Sequence, residues 1–314
     1  MEISFLKSRP NPARSYSEAL DRFEQIQLSE NKLPLYPPSR SQLLVHGEKT
    51  RRVVLWFHGY TNSPHGFSKI ARICHEQGDN VFVPRAPFHG NMDRLTNDTA
   101  KITASLLRQF ADASLDIASG LGEEIVIGGL SMGGVITAWL AQKRPNIRRA
   151  LIMSPAFGAE SIPRQFTDIV SLFLLIRPNT FRWWNPGDEK KDYTSPSPRY
   201  HSYPRISMHA LAQIFRLGFS ARRAGFLRPP LAQEVWWILN ENDVSINNGL
   251  NQAIYHRWKK IAPDRVHEYV FPRAIQVGHD LIDPSSATQN NAATYPVILN
   301  ILNGIPLAPL PQPE

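Results

Sequence analysis

The chain has 314 residues, 42% of them hydrophobic and 20% charged, with a formal net charge of +8. That balance excludes wholesale disorder and allows one large domain or two small ones. A lone cysteine, Cys74, excludes an internal disulfide, and no Cys/His cluster has the spacing of a zinc site, so no metal or cofactor is expected.

The start, Met1–Pro10, carries Glu2 and no apolar run, so no secretory signal is expected. The longest apolar run, Ile169–Ile176, falls well short of the roughly 20 residues that cross a bilayer. These features predict a cytoplasmic protein without stable membrane insertion. Excess charge is concentrated between Ala159 and Gln233, where eleven Lys/Arg stand against five acids. They are scattered among Trp, Phe and Pro and match no groove-reading motif, so no nucleic acid is expected.

Residues 1–50 read as an N-terminal extension, with Tyr16, Ala19, Leu20, Phe23 and Ile26 at helical spacing. From there short apolar runs alternate with longer amphipathic ones. Val53–Phe57, Val81–Pro84, Glu124–Ile127 and Ala150–Met153 predict strands, separated by helices over Pro64–Gln77, Thr99–Ser119 and Met132–Lys143. The alternation stops at 159–233 and resumes with strands Glu234–Leu239 and Val266–Phe271 and helices Gly249–Lys260 and Ala287–Asn303. Strands without polar alternation, separated by helices, predict a mostly parallel sheet covered on both faces. The sheet domain is thus expected over 51–158 and 234–304, with 159–233 inserted between two strands and a proline-rich tail at 305–314.

One motif stands out. Gly129-Leu130-Ser131-Met132-Gly133 matches G-x-S-x-G between a predicted strand and a predicted helix, the context this motif requires. The turn is so tight that side chains two positions either side of the serine collide with neighbouring backbone, and Gly129 and Gly133 remove that collision. Gly134 lets the helix start pack closely, and the helix's positive end lies beside the Ser131 hydroxyl. Phosphate-loop patterns fail here, since no Lys follows Gly133 or Gly134.

Acyl transfer also needs two N–H donors for the developing oxyanion. Met132, after the nucleophile, and Tyr60, in the loop HGYTNSP after the first of these strands, hold the expected positions. His58 precedes the serine at a strand end and reads as a brace for that loop.

A base and its orienting acid should follow in the order Ser, Asp/Glu, His. Asp243 follows strand 234–239 and His279 follows strand 266–271, at the same sheet edge as Ser131. Glu241 competes for the acid role, while Asp280 and Asp283 crowd the base. Asp243 could instead cap the following helix. Of the paired tryptophans, Trp236-Trp237 falls in a strand and reads as core, whereas Trp183-Trp184 lies in the insertion.

With HGYTNSP (58–64), GLSMGG (129–134), ENDVSI (241–246) and GHDLI (278–282), the chain resembles α/β-hydrolases of the carboxylesterase and monoacylglycerol-lipase type. The resemblance implies an eight-stranded-type sheet with a lid, here 159–233, after the sixth strand. It also implies hydrolysis of a small acyl ester through an acyl-serine intermediate. PRAPFHGNM (84–92) departs from the Arg-Gly-His-Gly turn common in such chains, which bears on the acyl or alcohol pocket. The same triad also serves thioesterases and acyltransferases, and a non-catalytic binding protein is the reading of another class. The insertion's Phe166, Ile169, Leu172, Phe173, Leu175 and Ile176 are spaced so that several share one helical face, expected either to pack on the sheet domain or to line the cleft.

Overall fold

The computed structural model describes residues 6–185, 187–193 and 200–307. Tail residues 308–314, N-terminal residues 1–5 and Arg199 of the basic segment lie outside the described residues.

Seven strands form one sheet: β1 (Gln42–Leu44), β2 (Thr50–Phe57), β3 (Asn80–Val83), β4 (Gly122–Leu130), β5 (Arg149–Met153), β8 (Glu234–Asn240) and β9 (Val266–Phe271). Their spatial order is β1-β3-β2-β4-β5-β8-β9, and every pairing is parallel except β1 with β3. The sheet is therefore one strand short of eight among the described residues, and the insertion follows the fifth strand of the chain. The edge ends at β1 because the chain before it is a helix, α1 (Tyr16–Glu30), and a 3-10 turn at Pro37–Ser39.

Alternation within each strand explains why the strands lack polar positions. Val53, Leu55 and Phe57 of β2 join one core, with Ile125, Ile127, Ile152 and Trp237 from neighbouring strands. Val54 and Trp56 point the other way and join Val126, Leu151, Met153 and Ile238. A strand covered on both faces has no face for water. The first core is closed by α1, α3 (Ala104–Leu121), α4 (Met132–Lys143), α6 (Met208–Leu227) and α7 (Asn248–Ile261). The second is closed by α2 (Ser68–Glu76) and α8 (Asn291–Asn303). α8 starts four residues later than its periodicity suggests, because Asp283–Gln289 is spent in turns.

The N-terminal extension is docked on this frame. Phe23 meets Phe82 edge-on at 5.8 Å, and Asn11 N–H donates to the Asp116 carboxylate at 2.8 Å.

Residues 159–233 are not a single cover. α6 packs on α3, α4 and α7 and buries Ala210, Ile214, Phe215, Leu217 and Ala221. The outer part comprises α5 (Thr167–Ile176) and the antiparallel pair β6 (Phe181–Trp183) and β7 (Arg205–Ser207). α5 rests on α6, with Ser171 donating to the Ala212 carbonyl at 3.0 Å. Its apolar face is neither sealed onto the sheet domain nor in the cleft: Ile169, Phe173 and Ile176 are 66%, 51% and 72% exposed. Helical spacing reveals that these residues share a face but not which way that face turns. Several basic side chains of the segment lie over aromatic rings, including Arg177 over Phe173 and Arg205 over Phe181.

Candidate active site

Ser131 sits between β4 and α4 with φ +59°, a strained conformation for a residue bearing a Cβ. The turn around it has room for nothing larger than glycine. A Cβ on Gly129 would lie 2.3 Å from the Gly133 carbonyl oxygen, and one on Gly133 would lie 2.0 Å from that of Phe57. The turn is tied down on both sides: Ser131 N–H donates to Met153 O at 3.0 Å, and its carbonyl accepts from Ala156 at 3.1 Å.

Tyr60 follows β2, and its loop passes directly beside the serine: a Cβ on Gly59 would come 3.5 Å from that of Ser131. Met132 opens α4, so its N–H has no acceptor within the helix. Behind the Tyr60 loop lie two buried histidines. His58 Nε2 accepts from Ala86 N–H at 3.0 Å, so its proton resides on Nδ1 and is donated to the Gly59 carbonyl at 2.9 Å. Burial, and then the neighbouring His89, hold His58 well below the usual histidine range, hence neutral. It is a brace, as its position suggests. His89, within the departing loop 84–92, faces the carbonyls of Pro87 and Tyr60. Burial pushes its pKa down to about 4. No residue of 84–92 lines the cavity described below, so that loop supports the Tyr60 loop from behind instead of shaping the pocket.

At the far side, His279 Nδ1 and Asp243 Oδ2 lie 2.6 Å apart, with the Asp243 side chain fully buried. An ionised carboxylate only accepts, so Nδ1 carries the proton and Nε2 is left as the basic nitrogen. Asp243 is not the cap of α7: that is Asn247, whose side chain accepts from Leu250 N–H at 2.8 Å. Glu241 is exposed and accepts from Arg273 N–H, away from the histidine.

Sequence reasoning missed Asn240, the last residue of β8. Fully buried, its amide donates to the carbonyls of Val277 and Gly278 at 2.9 and 2.8 Å, just before His279. Its only signal is an Asn closing an apolar run. Of the tryptophans, Trp237 is buried against Phe157 and Trp258, while Trp184 lies 6.3 Å from the His279 ring.

Ser131, Tyr60, Trp184 and His279 all line one cavity of about 420 Å³. Its lining includes apolar Leu130, Ala156, Ile206, Leu211 and Phe215 and polar Asn185, Asn242 and Ser245. Asp280 also lines the cavity, and no Lys or Arg does among the described residues. Ser131 follows β4 and Tyr60 follows β2, the neighbouring strands from which the chain departs in opposite directions along the sheet. That is the crevice where open α/β sheets bind ligands. Among the described residues no group of His, Cys, Asp and Glu could hold a metal ion, and no helix is long and apolar enough to cross a membrane.

Comparison with known proteins agrees with this frame. A stretch of 104 residues is 32% identical to the thermostable monoacylglycerol lipase of Bacillus sp. (strain H-257), covering 30% of this chain and 36% of that protein. A stretch of 137 residues is 28% identical to the esterase YjfP of Escherichia coli (strain K12), covering 40% of this chain and 52% of that one. The chain thus matches between about a third and half the length of these relatives. Among solved structures, a soluble variant of monoglyceride lipase from Saccharomyces cerevisiae, in complex with a substrate analog, superposes with a TM-score of 0.60. It is 12% identical, over 84% of this chain and 90% of that one, and so speaks for the fold. Residues 48–206, just over half of the chain, match the Hydrolase_4 family model, serine aminopeptidase S33. With its strand order and serine elbow, the chain belongs to this family of α/β-hydrolases.

Proposed function

We propose that the protein hydrolyses carboxylic esters of small acyl substrates through an acyl-Ser131 intermediate. One observation carries the reading: Ser131 and His279 face the same cavity, and the far nitrogen of His279 is held by a buried carboxylate. In this reading His279 Nε2 takes the Ser131 proton as the oxygen attacks the ester carbonyl. Asp243 fixes the tautomer and stabilises the imidazolium. The N–H groups of Met132 and Tyr60 receive the oxyanion. The tetrahedral intermediate collapses, His279 returns the proton to the leaving alkoxide, and water repeats the sequence on the acyl-enzyme.

The cavity wall favours an uncharged ester over the alternatives. A polyanionic thioester carrier would need cations at the mouth, and the described lining has none. An aminopeptidase needs a carboxylate for the substrate ammonium. Asp280, the one in the lining among the described residues, already accepts from Asn62 and from the N–H groups of Ile282 and Asp283. A buried lone cysteine fits a reducing compartment.

The test is a panel of p-nitrophenyl esters, acyl-coenzyme A thioesters and aminoacyl p-nitroanilides. Turnover of the esters, with kcat/KM well above that for the other two classes, is expected. Preference for the anilides or thioesters overturns the reading.

A further inference from the structure

Three consecutive residues of the insertion, 201–203, reach into three separate loops of the sheet domain. Tyr203 N–H donates to the Thr61 carbonyl at 2.7 Å, in the Tyr60 loop. Its hydroxyl accepts from Asn91 N–H and donates to the Phe88 carbonyl, in the loop after β3. Ser202 accepts from Arg94 Nε at 2.9 Å. His201 Nε2 lies 2.8 Å from Asp283 Oδ2, four residues beyond His279.

The His201 contact continues toward the site. The same Asp283 oxygen accepts from Asn62 Nδ2 at 3.3 Å, and that amide also donates to Asp280 Oδ2 at 3.1 Å. Asn62 stands two residues after Tyr60, and Asp280 is joined to His279. The chain His201–Asp283–Asn62–Asp280 therefore links the insertion to both loops on which the reaction depends. We propose that His201 is a positioning residue: through Asp283 and Asn62 it holds the loop presenting the Tyr60 N–H in register with the loop presenting His279. This rests on the reading of Ser131 as the nucleophile.

Several features separate this linkage from ordinary loop packing. The His201 and Asp283 side chains are 1% and 2% exposed, so water cannot substitute for either partner. Burial alone would raise the Asp283 carboxyl. Its bonds from His201 and Ser285 outweigh that and hold it well below the usual carboxylate range. The other oxygen, Oδ1, is committed to Ser285 N–H and Oγ at 2.9 and 2.7 Å, which fixes the carboxylate's orientation. Losing His201 thus leaves a buried charge with only part of its partners, and the carboxylate on which Asn62 joins the Tyr60 and His279 loops is no longer held in place. Because reacting groups misplaced by about 1 Å can cost on the order of 100-fold, the effect should appear in kcat.

The experiment compares wild type with His201→Leu, which removes the donor, and His201→Gln, whose amide N–H still reaches a carboxylate. Ester turnover and amide hydrogen exchange are read together. His201→Leu is expected to lower kcat about 10- to 100-fold with KM changed less than about threefold. Exchange should quicken in 58–63 and 277–283 but not in β4, and His201→Gln should recover most of both. Should His201→Leu not fold, Asn62→Ala cuts the same chain while Asp283 keeps its bonds to His201 and Ser285. It is then expected to quicken exchange in 277–283, across the contact. Unchanged kcat and exchange in His201→Leu, or in Asn62→Ala unchanged exchange at 277–283, overturns the proposal. If wild type turns over no ester while the exchange pattern appears, the proposed function fails and the linkage stands.

Discussion

His279 Nδ1 meets Asp243 Oδ2 at 2.6 Å, and the aspartate side chain has no exposed surface. A carboxylate shut away from water and paired with one imidazole fixes the tautomer of that ring. Asp243→Asn is therefore expected to lower kcat by up to about 10⁴. Glu241→Gln, on an exposed side chain facing Arg273 N–H, should leave kcat within about twofold. Steady-state kinetics of both variants checks this, and a crippled Glu241→Gln with a mild Asp243→Asn reverses the assignment.

Asn240 places the same histidine from the other direction. Asn240→Ala would leave the buried Val277 carbonyl and the half-buried Gly278 carbonyl without these donors, a loss of about 1–3 kcal/mol in unfolding free energy. Because those carbonyls immediately precede His279, kcat should also fall, by about tenfold. Urea unfolding together with kinetics tests the pair; full activity in the destabilised variant would confine Asn240 to a role in stability.

Acid should unfold the protein through its buried histidines before its carboxylates. His89 is neutral in the folded chain, with its pKa pushed to about 4 by burial, against an ordinary value near 6.5. Between these values the unfolded chain binds a proton that the folded chain does not, so stability drops as pH falls. His89 alone accounts for roughly 3 kcal/mol across that window, and His58 shifts in the same direction. Urea midpoints at pH 7 and pH 5 should differ more in wild type than in His89→Gln. An equal midpoint difference in the two proteins would contradict the neutral, buried state of His89.

The wall of the cavity, and not the exposed helix α5, should set acyl-chain preference. Each buried methylene adds about 0.8 kcal/mol, about fourfold in kcat/KM, until the pocket is full. Leu211→Trp, on the cavity wall, is expected to shorten the chain at which the profile peaks. Phe173→Asp, on the exposed face of α5, should leave it unchanged. A p-nitrophenyl ester series from two to twelve carbons decides, and the opposite pattern would place α5 in the cleft.

The frame of this site is legible in local sequence because each part sits at a strand end. The alternation of apolar runs and helical stretches places 131, 243 and 279 at one sheet edge, and glycines at 129 and 133 mark the turn. Less legible is whatever depends on where distant segments meet. His201 and Asp283 are 82 positions apart and pair only after the insertion folds back. The spacing in Thr167–Ile176 groups apolar residues on one side of α5 but cannot tell a buried side from an exposed one. The eighth strand implied by family likeness is missing among the described residues because β1 is an edge strand preceded by a helix, a matter of pairing partners that no local pattern encodes.

The central claim is that Ser131 carries the acyl group, and intact-protein mass spectrometry with a fluorophosphonate ester tests it most directly. Wild type should gain one phosphonyl adduct, mapped by peptide sequencing to Ser131. Ser131→Ala should take up none and lose about 10⁴- to 10⁶-fold in ester turnover while keeping its unfolding midpoint. An adduct on another residue, or a folded Ser131→Ala that retains more than about a tenth of wild-type activity, would contradict it.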